Sequence, residues 1–165
     1  MISVNTGTSA RSRIREALVY NIKRIKKAAG YNNDISEIFT NRPSLDQMKL
    51  FPSVYISLEN EKIELFERQT STFKTIQKNM RVVLFIMLYD AVDMAVAQDK
   101  IIQDVEGVIG NHFGLPHPDG ECTCFTSQVT DIVPFGDKAT KPKGGVIITL
   151  NVRYQQLRQD PTQRA

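Results

Sequence analysis

From Ala10 to Ala29 apolar residues recur at helical spacing: Ile14, Leu18, Ile22, Ile25 and Ala29 follow one another in steps of three and four. Ser9 precedes this run where an N-cap belongs, and Gly30 follows it where a left-handed C-cap would stop it. A second helical stripe, Ala97, Ile101, Val105, Val108 and Ile109, predicts a helix from about Met94 to His112. Asp93 is its N-cap, Gly114 and Pro116 end it, and Gln98, Lys100, Gln103 and Asp104 fall off the stripe.

Between and after these helices the period changes to two. Ile35–Thr40 is a short candidate strand, and Val54, Ile56 and Leu58 alternate with Tyr55, Ser57 and Glu59. Lys62–Arg68 alternates again, with Ile63 and Leu65 opposite Glu64 and Phe66. Phe73–Tyr89 reads as one long strand. Its second half, Val82–Leu88, is apolar on both faces, as in a strand covered on both sides, whereas Phe73–Met80 is polar enough to project as a hairpin arm. Two more strands follow. In one, Phe125, Ser127, Val129, Asp131 and Val133 share a face; the other is Val146–Tyr154. The loop between them, Gly136–Gly145, holds Pro142 and three lysines.

The order α-β-β-β-α-β-β, with room for one more short strand early, predicts an α+β domain: a mainly antiparallel sheet with two helices packed on one face and an extended β-hairpin arm. Residues 1–9 read as a flexible lead, 10–157 as a single domain and 158–165 as a polar tail. At 165 residues the chain is long enough for one self-sufficient core.

Charge adds a second layer. Lys and Arg number 21 against 18 Asp and Glu, a net +3. That small figure conceals +6 over residues 1–30, −8 over 31–137 and +5 over 138–165. The mixed distribution disfavours a wholly basic nucleic-acid binder but suits a protein with charged faces. Arg11, Arg13 and Arg15 sit at the start of the first helix, where positive charge opposes the helix dipole. An external acidic partner would account for that placement, as would a solvated face. The basic helix also leaves open a nucleic-acid-binding module. No apolar run is long enough to span a membrane, and no secretory signal opens the chain. Cys122 and Cys124 are too close to brace the fold by a disulfide.

Candidate chemistry is sparse. His112, His117, Cys122 and Cys124 put four zinc-capable side chains within a short segment, the basis for a zinc-stabilised alternative. One residue between the cysteines matches no standard structural zinc spacing, so neither a metal nor any other cofactor is expected. Glu59, Glu61 and Lys62 read as a charged turn at a hairpin tip. No phosphate-binding glycine loop, nucleophile elbow or metal helix is present, and no catalytic residue is assigned.

Several segments together resemble the tail terminator proteins of long-tailed bacteriophages, also called tail completion or tail-to-head joining proteins. They are the helix Ile14–Ala29 ending in Ala28-Ala29-Gly30-Tyr31 and the Phe51-Pro52-Ser53-Val54-Tyr55-Ile56 stretch followed by Glu59. With them go Phe85-Ile86-Met87-Leu88-Tyr89-Asp90 before an amphipathic helix, and the final strand Gly144–Tyr154. The resemblance spans about residues 11–157. It implies a non-enzymatic subunit of a ring, likened to the family's hexamers. That ring caps the tail tube, halts its polymerisation and meets the head-side connector protein, and the sheath protein where the tail contracts. DNA would pass through the lumen without specific binding, and the protein would reside in the virion neck after assembly in the host cytoplasm. Such a ring needs two different complementary patches per subunit. The arm, Phe73, Lys74, Thr75, Ile76, Gln77 and Lys78, is one candidate, adding to a neighbour's sheet edge. The basic Arg11, Arg15, Lys23 and Lys27, with Lys138, Lys141 and Lys143, are candidates for contact with acidic neighbours.

Overall fold

The computed structural model describes residues 9–69, 73–89, 93–109, 112–113, 115–120, 126–137 and 143–159. In chain order they form α1 (Ala10–Lys23), β1 (Glu37–Phe39), β2 (Ser53–Gln69), β3 (Phe73–Tyr89), α2 (Met94–Val108), β4 (His112–Phe113), β5 (Thr126–Asp137) and β6 (Lys143–Gln159). The strands make one six-stranded sheet in the order β1-β2-β3-β6-β5-β4. Only β1 runs parallel to its neighbour. This is the α+β class that the pattern predicts, with both helices on the same face.

That face is built by strict alternation. Val54 and Ile56 of β2, Met80, Val82, Leu84, Ile86 and Leu88 of β3, and Val146, Ile148, Leu150, Val152 and Tyr154 of β6 all point to one side. They meet Ile14, Ala17, Leu18 and Ile22 of α1 and Ile101, Val105 and Val108 of α2 in a single buried cluster. Burying this much apolar surface is the main driving force for the fold.

Local signals explain the helix ends. Ser9 accepts from the Ser12 amide at 3.1 Å and Asp93 from the Val96 amide at 3.2 Å, each acting as an N-cap. The first helix stops at Lys23, short of the predicted Ala29. The chain then passes through a 3-10 turn at Lys27–Ala29, and Gly30 closes that turn at φ 91° instead of closing the helix. Ile25 still reaches the core, but Ala29 lies exposed. The second helix ends at Val108, not His112, because His112–Phe113 pairs with β5. The buried Ser127 hydroxyl donates to the Ile109 carbonyl at 2.8 Å, satisfying a backbone group just past the helix end.

Three strand features depart from the simple alternation. The segments Val54–Glu59 and Lys62–Arg68 are one continuous strand, carried across a bulge between Leu58 and Glu61. β2 has a further irregularity between Glu64 and Arg68, and another in β5, between Val129 and Asp131, resets that strand's phase. Val129 and Ile132 therefore face the core together, while Asp131 and Val133 face away, so the predicted common face of Val129 and Val133 is divided. The strand predicted as Val146–Tyr154 runs on to Gln159, paired with β3 throughout. The arm is consequently a three-stranded ribbon of β2, β3 and β6.

At the other end of the sheet, Gly144 and Gly145 admit close neighbours. The Gln98 amide of α2 donates to the Phe135 and Gly145 carbonyls at 2.9 and 3.0 Å, drawing the helix onto the strands. A Cβ on Gly145 would collide with the Ile86 carbonyl and come within 2.8 Å of the Phe135 ring. Gly145→Ala is therefore expected to destabilise the protein by about 2 kcal/mol, read as a lowered urea midpoint with an unchanged slope.

Candidate functional site

Arg11, in the first turn of α1, reaches the bulge of β2. Its guanidinium donates to the Leu58 and Glu59 carbonyls and forms an ion pair with Glu61 at 3.1 Å. An extra residue in a bulge disturbs the backbone ladder, and here the side chain of a helix satisfies the displaced carbonyls. Glu61 also pairs with Lys78 of β3 at 3.4 Å and accepts from the Tyr154 hydroxyl of β6. One carboxylate thus joins α1 to all three strands of the arm at its base. Burial pushes the Glu61 carboxyl up, but hydrogen bonds from Tyr154 and Arg11 and the Lys78 charge outweigh it and hold it below the ordinary glutamate value. Burial, reinforced by the neighbouring Glu61 carboxylate, pushes the Tyr154 phenol well above its ordinary value.

Among the described residues, no helix packs on the opposite face of the sheet. Across it, Tyr55, Phe85, Ile147 and Val133 stand side by side on four strands, and Tyr55 stacks on Phe85 with ring centroids 5.6 Å apart. Met87 and Phe135 occupy the next row and Val83 the preceding one. An antiparallel sheet with one solvated face ordinarily carries polar residues there. Here the face is largely apolar, and Val133 is 45% exposed. For Val82–Leu88, expected to be covered on both sides, the helix-bearing side is buried throughout, while on the other side Val83 is buried and Phe85 and Met87 are half-buried.

The predicted interface residues fall into distinct places. Arg11 is used inside the subunit, as is Arg13, which pairs with Asp119 at 2.9 Å. These pairs give the arginines at the positive end of the helix dipole an acidic complement within the chain. Arg15 is half-buried, and Lys23 and Lys27 are exposed at the other end of that basic segment, beside exposed Arg24 and Lys26. Phe73, Lys74, Thr75, Ile76, Gln77 and Lys78 all lie in β3, the middle strand of the arm, flanked by β2 and β6. Lys78 is only 8% exposed and belongs to the Glu61 cluster. Lys143 opens β6, whereas Lys138 and Lys141 lie outside the described residues.

The zinc-capable segment is dispersed differently. His117 places Nε2 2.8 Å from a Glu16 oxygen and Nδ1 2.9 Å from an Asp119 oxygen, so both ring nitrogens face carboxylates. The buried Asn21 amide ties the same loop to α1 by donating to the Pro116 carbonyl at 2.8 Å. His112 lies in β4, and Cys122 and Cys124 lie outside the described residues. Among the described residues, no three His, Cys, Asp or Glu side chains are placed to hold a metal ion.

Asp104 is the polar residue whose role the periodicity obscured. It is 2% exposed and accepts from the backbone and side-chain amides of both Asn32 and Asn33, at 2.8–2.9 Å. Its spacing held the signal: it stands three residues after Ile101 and four before Val108, on the core-facing stripe. The consecutive asparagines that answer it lie in a distant loop.

A one-sided sheet with an apolar open face, a latched arm and short edge strands defines the class: an α+β subunit whose distinguishing features are surfaces. The family profile described as bacteriophage tail tube terminator protein matches residues 5–161. The chain belongs to this family, and its role is structural, at the tail tube of a bacteriophage virion. No curated protein matches the chain. Among the described residues, no helix is long and apolar enough to cross a membrane.

Proposed function

We propose that copies of this chain close into a ring, six by the resemblance to the family, which seats on the last ring of the tail tube and stops its growth. The free side of the ring meets the head-side connector, and the sheath in a contractile tail. Residues 10–157 act as the working unit, with 1–9 and 158–165 as appendages. Assembly takes place in the host cytoplasm and involves no catalysis. DNA passes through the lumen without specific binding.

The open apolar face carries this reading. Among the described residues no helix packs over Tyr55, Phe85, Ile147 and Val133; the first three are half-buried and Val133 is exposed, and a partly exposed apolar row of this kind marks an interaction site. The exposed Lys23 and Lys27, with Lys138, Lys141 and Lys143, are assigned to contacts with acidic surfaces of neighbouring subunits or of the tube. Contacts of that kind are screened, so raising salt loosens the assembly.

Native mass spectrometry across a concentration series is expected to show a hexamer. Phage lacking the gene are expected to make tails of uncontrolled length that fail to join heads. A chain that stays monomeric, together with mutant tails of normal length, overturns the proposal.

A further inference from the structure

The arm has two open edges. β1 pairs with β2 only as far as Tyr55, so among the described residues the outer side of β2 from Ile56 to Gln69 has no strand beside it. β5 reaches β6 only up to Arg153, which leaves Tyr154–Gln159 paired with β3 alone among the described residues. Arg11 occupies the β2 carbonyls at the bulge, so the segment open to a new strand is Glu61–Gln69.

These two segments stand at the same level of the sheet. Ile63 is opposite Lys78, and Lys78 is opposite Tyr154; Glu64 meets Gln77, and Gln77 meets Gln155; beyond the β2 irregularity between Glu64 and Arg68, Gln69 meets Lys74, and Lys74 meets Arg158. A head-to-tail contact closes into a ring only when its two patches bring each copy back to the same height; an offset between them generates an open helix instead. Edges at one level meet that condition. Composition agrees: Glu61, Glu64 and Glu67 outnumber Lys62 and Arg68 on the β2 segment, while Tyr154–Gln159 carries Arg158 and no acid. Ile63, 56% exposed, also lies on the open segment. Unpaired edges are an aggregation hazard that a closed ring of strands removes.

From these observations, and resting on the ring reading above, we infer that the outer edge of β2 at Glu61–Gln69 takes up the β6 end, Tyr154–Gln159, of a second copy of this chain. The pairing is parallel. β2 and β6 both run antiparallel to β3 and therefore run the same way, and rotation about a ring axis preserves that direction. Three strands stand alone only with a hydrophobic face or a helix to pack on, and this ribbon gains a strand on each side in the ring.

Cross-linking tests the assignment. In a chain with Cys122→Ser and Cys124→Ser, Glu64→Cys is combined with Gln155→Cys, positions that a level parallel pairing brings within disulfide reach. Mild oxidation is expected to give a ladder of covalent multiples up to the closed ring, and neither single variant gives one. A second pair, Lys62→Cys with Gln155→Cys, covers a register displaced by two residues. Rings seen by native mass spectrometry without a ladder from either pair overturn the edge pairing while the ring stands. Absence of rings at every concentration overturns both.

Hydrogen exchange on the unsubstituted protein provides a second measurement. Amides in Glu61–Gln69 and Tyr154–Gln159 are expected to exchange at least about tenfold more slowly in the ring than in the monomer. Unchanged exchange there in assembled rings also overturns the assignment.

Discussion

Asp104→Ala is expected to lower the stability of the folded chain by about 3 kcal/mol, read as a fall in thermal midpoint of about 9 °C. The carboxylate is buried in α2 and accepts four hydrogen bonds from Asn32 and Asn33. Removing it leaves those donors facing an alanine, and a buried donor without an acceptor costs more than its hydrogen bond contributed. Asp104→Asn keeps one acceptor oxygen and is expected to lose about half as much. A change of less than about 1 kcal/mol in Asp104→Ala would mean that water replaces the carboxylate and that the clamp is not structural.

The second large effect lies at the base of the arm. Glu61→Ala removes the carboxylate shared by Arg11, Lys78 and Tyr154, leaving Lys78 buried without its acidic partner. A loss of about 2 kcal/mol is expected, less than for a fully buried broken pair because Glu61 and Arg11 are partly solvated. The pH dependence has a definite sign. Glu61 titrates below its ordinary value in the folded chain, so its contribution is fully present above the ordinary glutamate range. It fades as pH falls through that range and is gone below the depressed folded value. Glu61→Gln should flatten this acid limb in a plot of unfolding free energy against pH. An acid limb of unchanged slope would assign the loss to other carboxylates. Because the network anchors the arm, the same variants should raise hydrogen exchange in β2 beyond the bulge more than in α2.

Much of the fold could be read directly from spacing. The α1 core residues Ile14, Leu18 and Ile22, the caps Ser9 and Asp93, and the alternation in β3 and β6 are local signals, each repeated within a few residues. The misplaced boundaries were also local, but they were decided by competition. Helix α2 yields at Val108 to a strand pairing of His112–Phe113 with β5, and the phase of β5 changes at a bulge that periodicity cannot register. The arm was legible as a polar, strand-forming stretch, yet its width was not, because nothing within Phe73–Met80 says that β6 will run alongside to Gln159.

The candidate surfaces divide the same way. Val83, Phe85 and Met87 were apparent as apolar positions of a strand expected to be covered on both sides, and Tyr55 and Ile147 as the alternate positions of two other strands. Only the assembled sheet shows both helices on one side and the aromatic row on the other. The basic start of α1 looked like a surface awaiting an acidic partner. Arg13 finds Asp119 at a separation of 106 residues and Arg11 finds Glu61 at 50, and no window along the chain contains either pair.

The α+β class, the elements and the faces they bury follow from amphipathic periodicity, which is a property of neighbouring residues. Which buried charges are answered, where the strands change phase, and which face and edges of the sheet stay open emerge only on folding. Those outcomes depend on groups brought together by the closing of the chain, and periodicity carries no record of which distant group will arrive.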